Sequence, residues 1–146
     1  MAITSAICNS FKVEILTGTH NFTASTGDTF NLALYTSSAT LSKSTTAYSD
    51  TNEITNASGS AYSAKGNALT SVTPVLSTDT AVCDFANSSW SSASFTARGC
   101  LIFNDTAAGD PAVCAIDFGG NKTVTSGTFT IEFPAADASN AILRIA

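Results

Sequence analysis

The sequence predicts a mostly β chain, a single antiparallel β-sandwich or jelly-roll-like domain with one short N-terminal helix. Three observations carry this. Apolar residues recur with period two, as in Phe30, Leu32 and Leu34 and again in Phe129, Ile131 and Phe133, which lines one face of a strand. Turn residues punctuate the chain at short intervals. A helical spacing of apolar residues occurs convincingly once, near the start.

The helix is predicted over Asn9 to Leu16, where Phe11 and Ile15 share a face with Cys8 and Gly18 follows at a left-handed cap position. Lys12 and Glu14 are expected to face elsewhere. A strand follows at Thr29 to Tyr35, with Phe30, Leu32 and Leu34 on its buried face. From Thr36 to Ser63 the chain is rich in Ser, Thr, Ala and Asn and nearly free of aliphatic residues. It reads as an extended surface excursion holding one or two short strands. Ala68 to Leu76 is a strand that Pro74 confines to an edge or a bulge. Ala81 to Phe85 is another, and Phe95 to Phe103 is central because both of its faces carry apolar residues. Asn104 to Pro111 is a turn, Ala112 to Phe118 a strand, and Gly119-Gly120-Asn121 a second turn. Thr128 to Phe133 and Ala141 to Ile145 complete seven or eight short strands. Residues 1–146 read as one domain without repeat or linker, and residues 1–7 as an N-terminal arm. Phe30, Leu32, Leu34, Phe85, Leu101, Phe103, Phe118, Phe129, Ile131 and Phe133 are expected to fill one core.

Composition narrows the function. Hydrophobic residues are 44% of the 146 and charged residues only 12%, against about 25% charged in ordinary soluble domains. Ser, Thr and Asn must therefore supply much of the polar surface, which suits close packing against neighbours. The net charge is −5 and the six basic residues are scattered, so nucleic acid is not an expected partner. No stretch is apolar for the length a membrane span needs. No basic region precedes an apolar run at the start, so folding in a reducing cytoplasm is expected. Cys8, Cys83, Cys100 and Cys114 contain no C-x-x-C pair and read as free thiols on buried strand faces.

Catalytic and cofactor chemistry find little support. The one histidine, His20, sits just past the helix and reads as a solvated or turn-bonded side chain, with no acid placed beside it by the sequence. Asp84, Asp117 and Glu132 read as outward-facing strand residues rather than a sugar-cleaving pair. The oxygens of Asn104, Asp105 and Asp110 are explained by turn chemistry, so no metal or other cofactor is expected. Five sequons, at Asn21, Asn56, Asn87, Asn104 and Asn121, are expected to stay unmodified. Trp90, Tyr48 and Tyr62 would make a sugar-stacking surface if they faced solvent together; the plainer reading of Trp90 is a cap on the core.

Several segments in order carry a resemblance. They are Cys8-Asn9-Ser10-Phe11-Lys12, Phe30 to Thr36, Asn52-Glu53-Ile54, Ser58 to Leu69, Ala97-Arg98-Gly99, Asp117-Phe118-Gly119-Gly120 and Phe129 to Pro134. Together they resemble a family of small structural proteins of tailed bacteriophages, over nearly the whole chain. The family's central pattern is Asn-Glu, then Gly-x-Gly-Tyr-x-x-Gly-Gly, then Leu. Here Ala61 and Lys65 replace two of its glycines, and Thr55-Asn56-Ala57 are inserted. The resemblance implies a non-enzymatic virion protein made in the host cytoplasm, without fixing its place in the particle. A capsid decoration (cement) protein is the expectation, binding the major capsid protein as a trimer so that repeated weak contacts add up. A tail, fibre or neck component is the first alternative, and a carbohydrate-binding or adhesin-like module the second. The two segments able to leave the β core supply the candidate partner contacts: Met1, Ala2, Ile3 and Thr4 from one, Tyr48, Asn52, Glu53 and Tyr62 from the other.

Overall fold

The computed structural model describes residues 2–146. Eight strands and one helix follow in the order β1 (Ala6–Ile7), α1 (Asn9–Leu16), β2 (Phe30–Tyr35), β3 (Asn67–Ala68), β4 (Ser71–Ser77), β5 (Thr80–Phe85), β6 (Ser88–Asn104), β7 (Ala112–Ile131) and β8 (Leu143–Ile145). They form a five-stranded sheet, β1-β7-β6-β2-β3, and a three-stranded sheet, β4-β5-β8. Every pairing is antiparallel. The chain is mostly β, consistent with a sandwich, and no barrel closes.

β2 shows how the layers are built. The sequence suggests one buried face, but all six of its residues are buried. Phe30, Leu32 and Leu34 face the small sheet and α1: Phe30 stacks on Phe22 at 4.2 Å and lies 6.0 Å from Phe85. The opposite face, with Asn31, Ala33 and Tyr35, is covered by the segment 36–65. Asn31 Nδ2 donates to the Lys65 carbonyl, Tyr35 Oη donates to the Ser49 carbonyl, and Tyr48 stacks on Phe103, the β6 neighbour of Asn31. The main sheet thus has a sheet and helix on one side and a coil layer on the other.

Two expectations are corrected by that layer. Residues 36–63 run over the surface, mostly exposed, but as a cover on the sheet and not a free excursion: Ala39, Leu41, Ile54 and Tyr62 are buried, and the segment makes only isolated bridges instead of strands of its own. Residues 2–7 are not a free arm either. Thr4 N–H donates to the Leu41 carbonyl, Leu41 N–H donates to the Ala2 carbonyl, Ile3 is buried, and β1 pairs with β7. A segment poor in aliphatics can cover a sheet because Ser, Thr and Asn turns satisfy its backbone locally, as at Thr36, Ser42 and Ser49.

The long β6–β7 hairpin also differs from its sequence reading. Gly119-Gly120-Asn121 does not turn the chain. It is a bulge inside β7, with Gly119 at φ +77° between the pairs Gly99–Asp117 and Ala97–Lys122. The strand beginning at Ser88 was hidden by its Ser and Asn content. Phe118, Phe129, Ile131 and Phe133 lie on this extension or just beyond it, and are only partly buried against the core edge. The inner core is narrower than the ten residues the pattern selects.

All four cysteines are buried and unpaired. Burial pushes the thiols of Cys83 and Cys114 from 9.0 to about 12, and that of Cys8 to about 11. The folded chain therefore holds its thiol protons more tightly than the unfolded one.

Two stability measurements test this fold. Leu101→Ala, at a fully buried site, should cost about 2–5 kcal/mol in urea unfolding, and Ile131→Ala clearly less. The thiol shifts give full stability below about pH 9 and a progressive loss as pH rises toward 12. Urea midpoints between neutral and alkaline pH check this, and a midpoint rising above pH 9 would contradict it.

Candidate functional site

The residues expected to touch a partner divide sharply. Glu53 and Tyr62 are buried, at 7% and 0% exposure, and cannot make direct contact, which corrects that expectation; Ile3 is buried too. Ala2, Thr4 and Asn52 are exposed, Tyr48 is half-buried, and Met1 lies outside the described residues.

Four residues from the Asn-Glu…Tyr pattern and its surroundings form a latch. Tyr48 Oη donates to Glu53 Oε2 at 2.6 Å, and Tyr62 Oη donates to Glu53 Oε1 at 2.6 Å. The Lys65 backbone N–H also donates to Oε1, at 2.8 Å. Tyr62 Oη in turn accepts the Leu34 N–H of β2 at 2.9 Å. Burial first, and then the bond to Glu53, push both tyrosine hydroxyls well above their ordinary range. Three donors on one buried carboxylate make this a clamp with no free oxygen directed to a substrate.

The backbone of the latch is left-handed at every glycine position of the family pattern. Gly59, Ala61, Lys65 and Gly66 have φ of +82°, +60°, +71° and +64°. A Cβ on Gly66 would lie 1.9 Å from the Leu32 carbonyl oxygen, so this close approach to β2 requires glycine. Lys65 compensates for its strain by placing Nζ 2.7 Å from Asp105 and 2.8 Å from Asp110. The two carboxylates of the Asn104–Pro111 turn therefore hold an ammonium.

A second polar cluster was not visible in the sequence. His20 is buried rather than solvated. Its Nε2 donates to Glu14 Oε2 at 2.7 Å, and its Nδ1 accepts from Asn104 Nδ2 at 3.1 Å. Asn104 Nδ2 also donates to Asp28 Oδ2 at 2.8 Å. With both ring nitrogens occupied by protein groups, the imidazole has no site left for a substrate proton. The cluster ties α1 to β6. The only hint in the sequence was Gly18, which turns the chain back over the helix. Asn104 is fully buried, which closes its sequon to any modifying enzyme.

The aromatic platform is absent from the surface. Trp90 is buried and stacks on Tyr62 at 6.0 Å inside the domain. This removes the arrangement on which a sugar-binding reading would rest.

The small sheet and α1, by contrast, leave apolar side chains in water. Leu16 is 87% exposed, Leu76 72%, Ile145 64% and Val75 58%. Leu76, Ala81 and Ile145 are cross-strand neighbours on β4, β5 and β8 and make a continuous apolar row. Between that row and α1 runs an open groove of about 440 Å³, walled by Phe11, Ile15 and Leu16 and floored by Ala81, Leu143 and Ile145. The sequence marked β4 as an edge strand, but not that its apolar residues lack a cover. No helix of the described residues is long and apolar enough to cross a membrane.

The latch is testable by stability. Tyr62→Phe leaves the Leu34 N–H and Glu53 short of a partner and should cost about 1–3 kcal/mol. Ala61→Gly relieves a left-handed alanine and should raise stability, by up to about 1 kcal/mol. Urea unfolding of both variants reads the two signs. Comparisons with protein families, with curated proteins and with solved structures find no match for the chain.

Proposed function

We propose that the chain is a non-enzymatic virion structural protein of a tailed phage, a decoration protein that binds the assembled head and stabilises it. The observation that carries the docking part is the exposed apolar row of Leu76, Ala81 and Ile145 with Leu16 beside it. Contiguous apolar surface of this kind on a small domain marks an interaction site. The virion part rests on the resemblance. Its support is physical: all four glycine positions of the pattern are left-handed here, and its Glu and Tyr are hydrogen-bonded to each other. The pattern reads as the recipe for a coil layer clamped onto a sheet, a scaffold function.

The low charge fits the same use. Only 12% of the residues are charged, and Lys65 and Arg98 are ion-paired within the chain, so packing strips water from few charges. One apolar row is a modest interface, well below the area of a stable pair. Many copies on a repeating lattice, each a trimer contacting several capsid subunits, convert modest contacts into tight retention.

Purified protein added to particles lacking it should bind heads to a fixed copy number, bind isolated capsid subunits weakly, and raise the temperature at which heads open. Density only at the tail would overturn the capsid assignment in favour of a tail or neck component. Unchanged heat resistance on full occupancy would overturn the stabilising role. Leu76→Asp should lower head occupancy at least tenfold without altering the fold, because the side chain is exposed.

A further inference from the structure

We infer that the groove between α1 and the small sheet is a receptor for an extended polypeptide segment of a partner, one that carries apolar side chains and at least one carboxylate. This rests on reading that face as a docking surface, but not on which assembly supplies the partner.

The floor and wall are apolar, as described above, and among the lining residues the only charged ones are Lys12 and Arg144. Both are cations, in a chain whose net charge is −5. Neither forms an ion pair among the described residues. Lys12 Nζ donates to Asn9 Oδ1 at 3.2 Å, and Arg144 Nη1 donates to the carbonyls of Ala138 and Ser139. Asp137 lies near enough to Arg144 for its carboxyl to feel the charge, though its oxygens are taken up mainly by Asn140. Of the other four cations, Lys65 and Arg98 are matched to carboxylates, and Lys43 and Lys122 are exposed away from the groove lining. Two unmatched cations on the lining of an apolar trough are the complement of an acidic, apolar ligand.

The shape favours a chain over a small molecule. The groove is open, and its apolar surface runs on past Ile145 to Leu76 on β4. β8 is an edge strand of the small sheet, so it presents unpaired backbone groups beside the apolar floor. An extended segment can use such an edge, with alternate side chains reaching the floor. α1 does not fill the gap because its eight residues reach only about 12 Å, and Gly18 then turns the chain away. A second copy of this chain fits less well, since its own exposed apolar row of Leu76, Ala81 and Ile145 carries no carboxylate to meet Lys12 and Arg144.

The probe is a random library of twelve-residue peptides selected on the immobilised full chain. It is counter-selected on Ala81→Phe, which fills the floor from an exposed strand position. Enriched peptides should alternate apolar residues with Asp or Glu. They should bind at least tenfold more weakly to Ala81→Phe and to the double variant Lys12→Glu with Arg144→Gln, and the affinity should fall as salt rises. Chemical-shift changes should centre on Leu16, Ala81 and Ile145. Thermal unfolding of each variant separates lost binding from lost fold. Peptides without acidic residues, a basic consensus, or binding indifferent to Ala81→Phe would overturn the inference. So would sedimentation showing that the chain dimerises through this face. Head binding in the particle assay together with a failed selection would leave the docking reading standing and remove this one.

Discussion

Glu53 is a carboxylate held almost entirely out of water in a chain with few charges, and the outer face of the main sheet is organised around it. An unpaired buried carboxylate would cost more than a small domain can sustain. This one is matched by two tyrosine hydroxyls and a backbone amide. Each donor comes from a different point of the 47–65 coil, and Tyr62 passes the connection on to the β2 backbone. The charge therefore fixes the geometry of a segment that has almost no aliphatic side chains to fix it otherwise. The left-handed residues follow from the same constraint. The chain must double back within a few residues to aim Tyr62 and the Lys65 amide at one carboxylate, and only φ above zero turns it that tightly.

This explains which parts of the fold are legible in the sequence and which are not. Strand periodicity located β2, β5, the inner half of β6 and the inner half of β7, where apolar side chains alone determine the face. It also placed α1 and its Gly18 cap correctly. The segment 36–63 was misplaced because its cover of the sheet is made by hydrogen bonds from Tyr48, Glu53 and Tyr62, and hydropathy does not register a bond. The outer halves of β6 and β7 were broken at Gly119-Gly120, where glycines mark a bulge as readily as a turn. Tyr48, Asn52, Glu53 and Tyr62 were selected together as contacts. Tyr48, Glu53 and Tyr62 do belong together, but as the clamp beneath a surface; of the four only Asn52 is exposed. The residues of the apolar patch, Leu16, Leu76, Ala81 and Ile145, stand plainly in the sequence. What the sequence lacked was the knowledge that nothing in the fold lies over them.

The two sides of the main sheet consequently differ in how they are finished. On the coil side, the carboxylate of the latch is matched by its three donors and Lys65 closes the cover against Asp105 and Asp110. On the other side, His20, Glu14 and Asn104 lock α1 in place, yet the helix is too short to cover β4, β5 and β8. Locking a short helix rigidly keeps the groove open, because α1 cannot slide to bury Ala81 and Ile145 itself. The His20 network thus ties the groove's wall to the main sheet.

A rigid, half-covered sheet has a thermodynamic consequence for association. The more of α1, β5 and β8 that is in place before binding, α1 through its ties to β6, the more the entropy cost of filling the groove falls on the partner. Such pre-organisation lets a short segment bind through few contacts. Burial raises every one of the interior thiols, which disfavours the reactive thiolate in the folded chain. What the fold presents to a neighbour is an open apolar groove beside a helix tied to the main sheet, over a core of buried thiols.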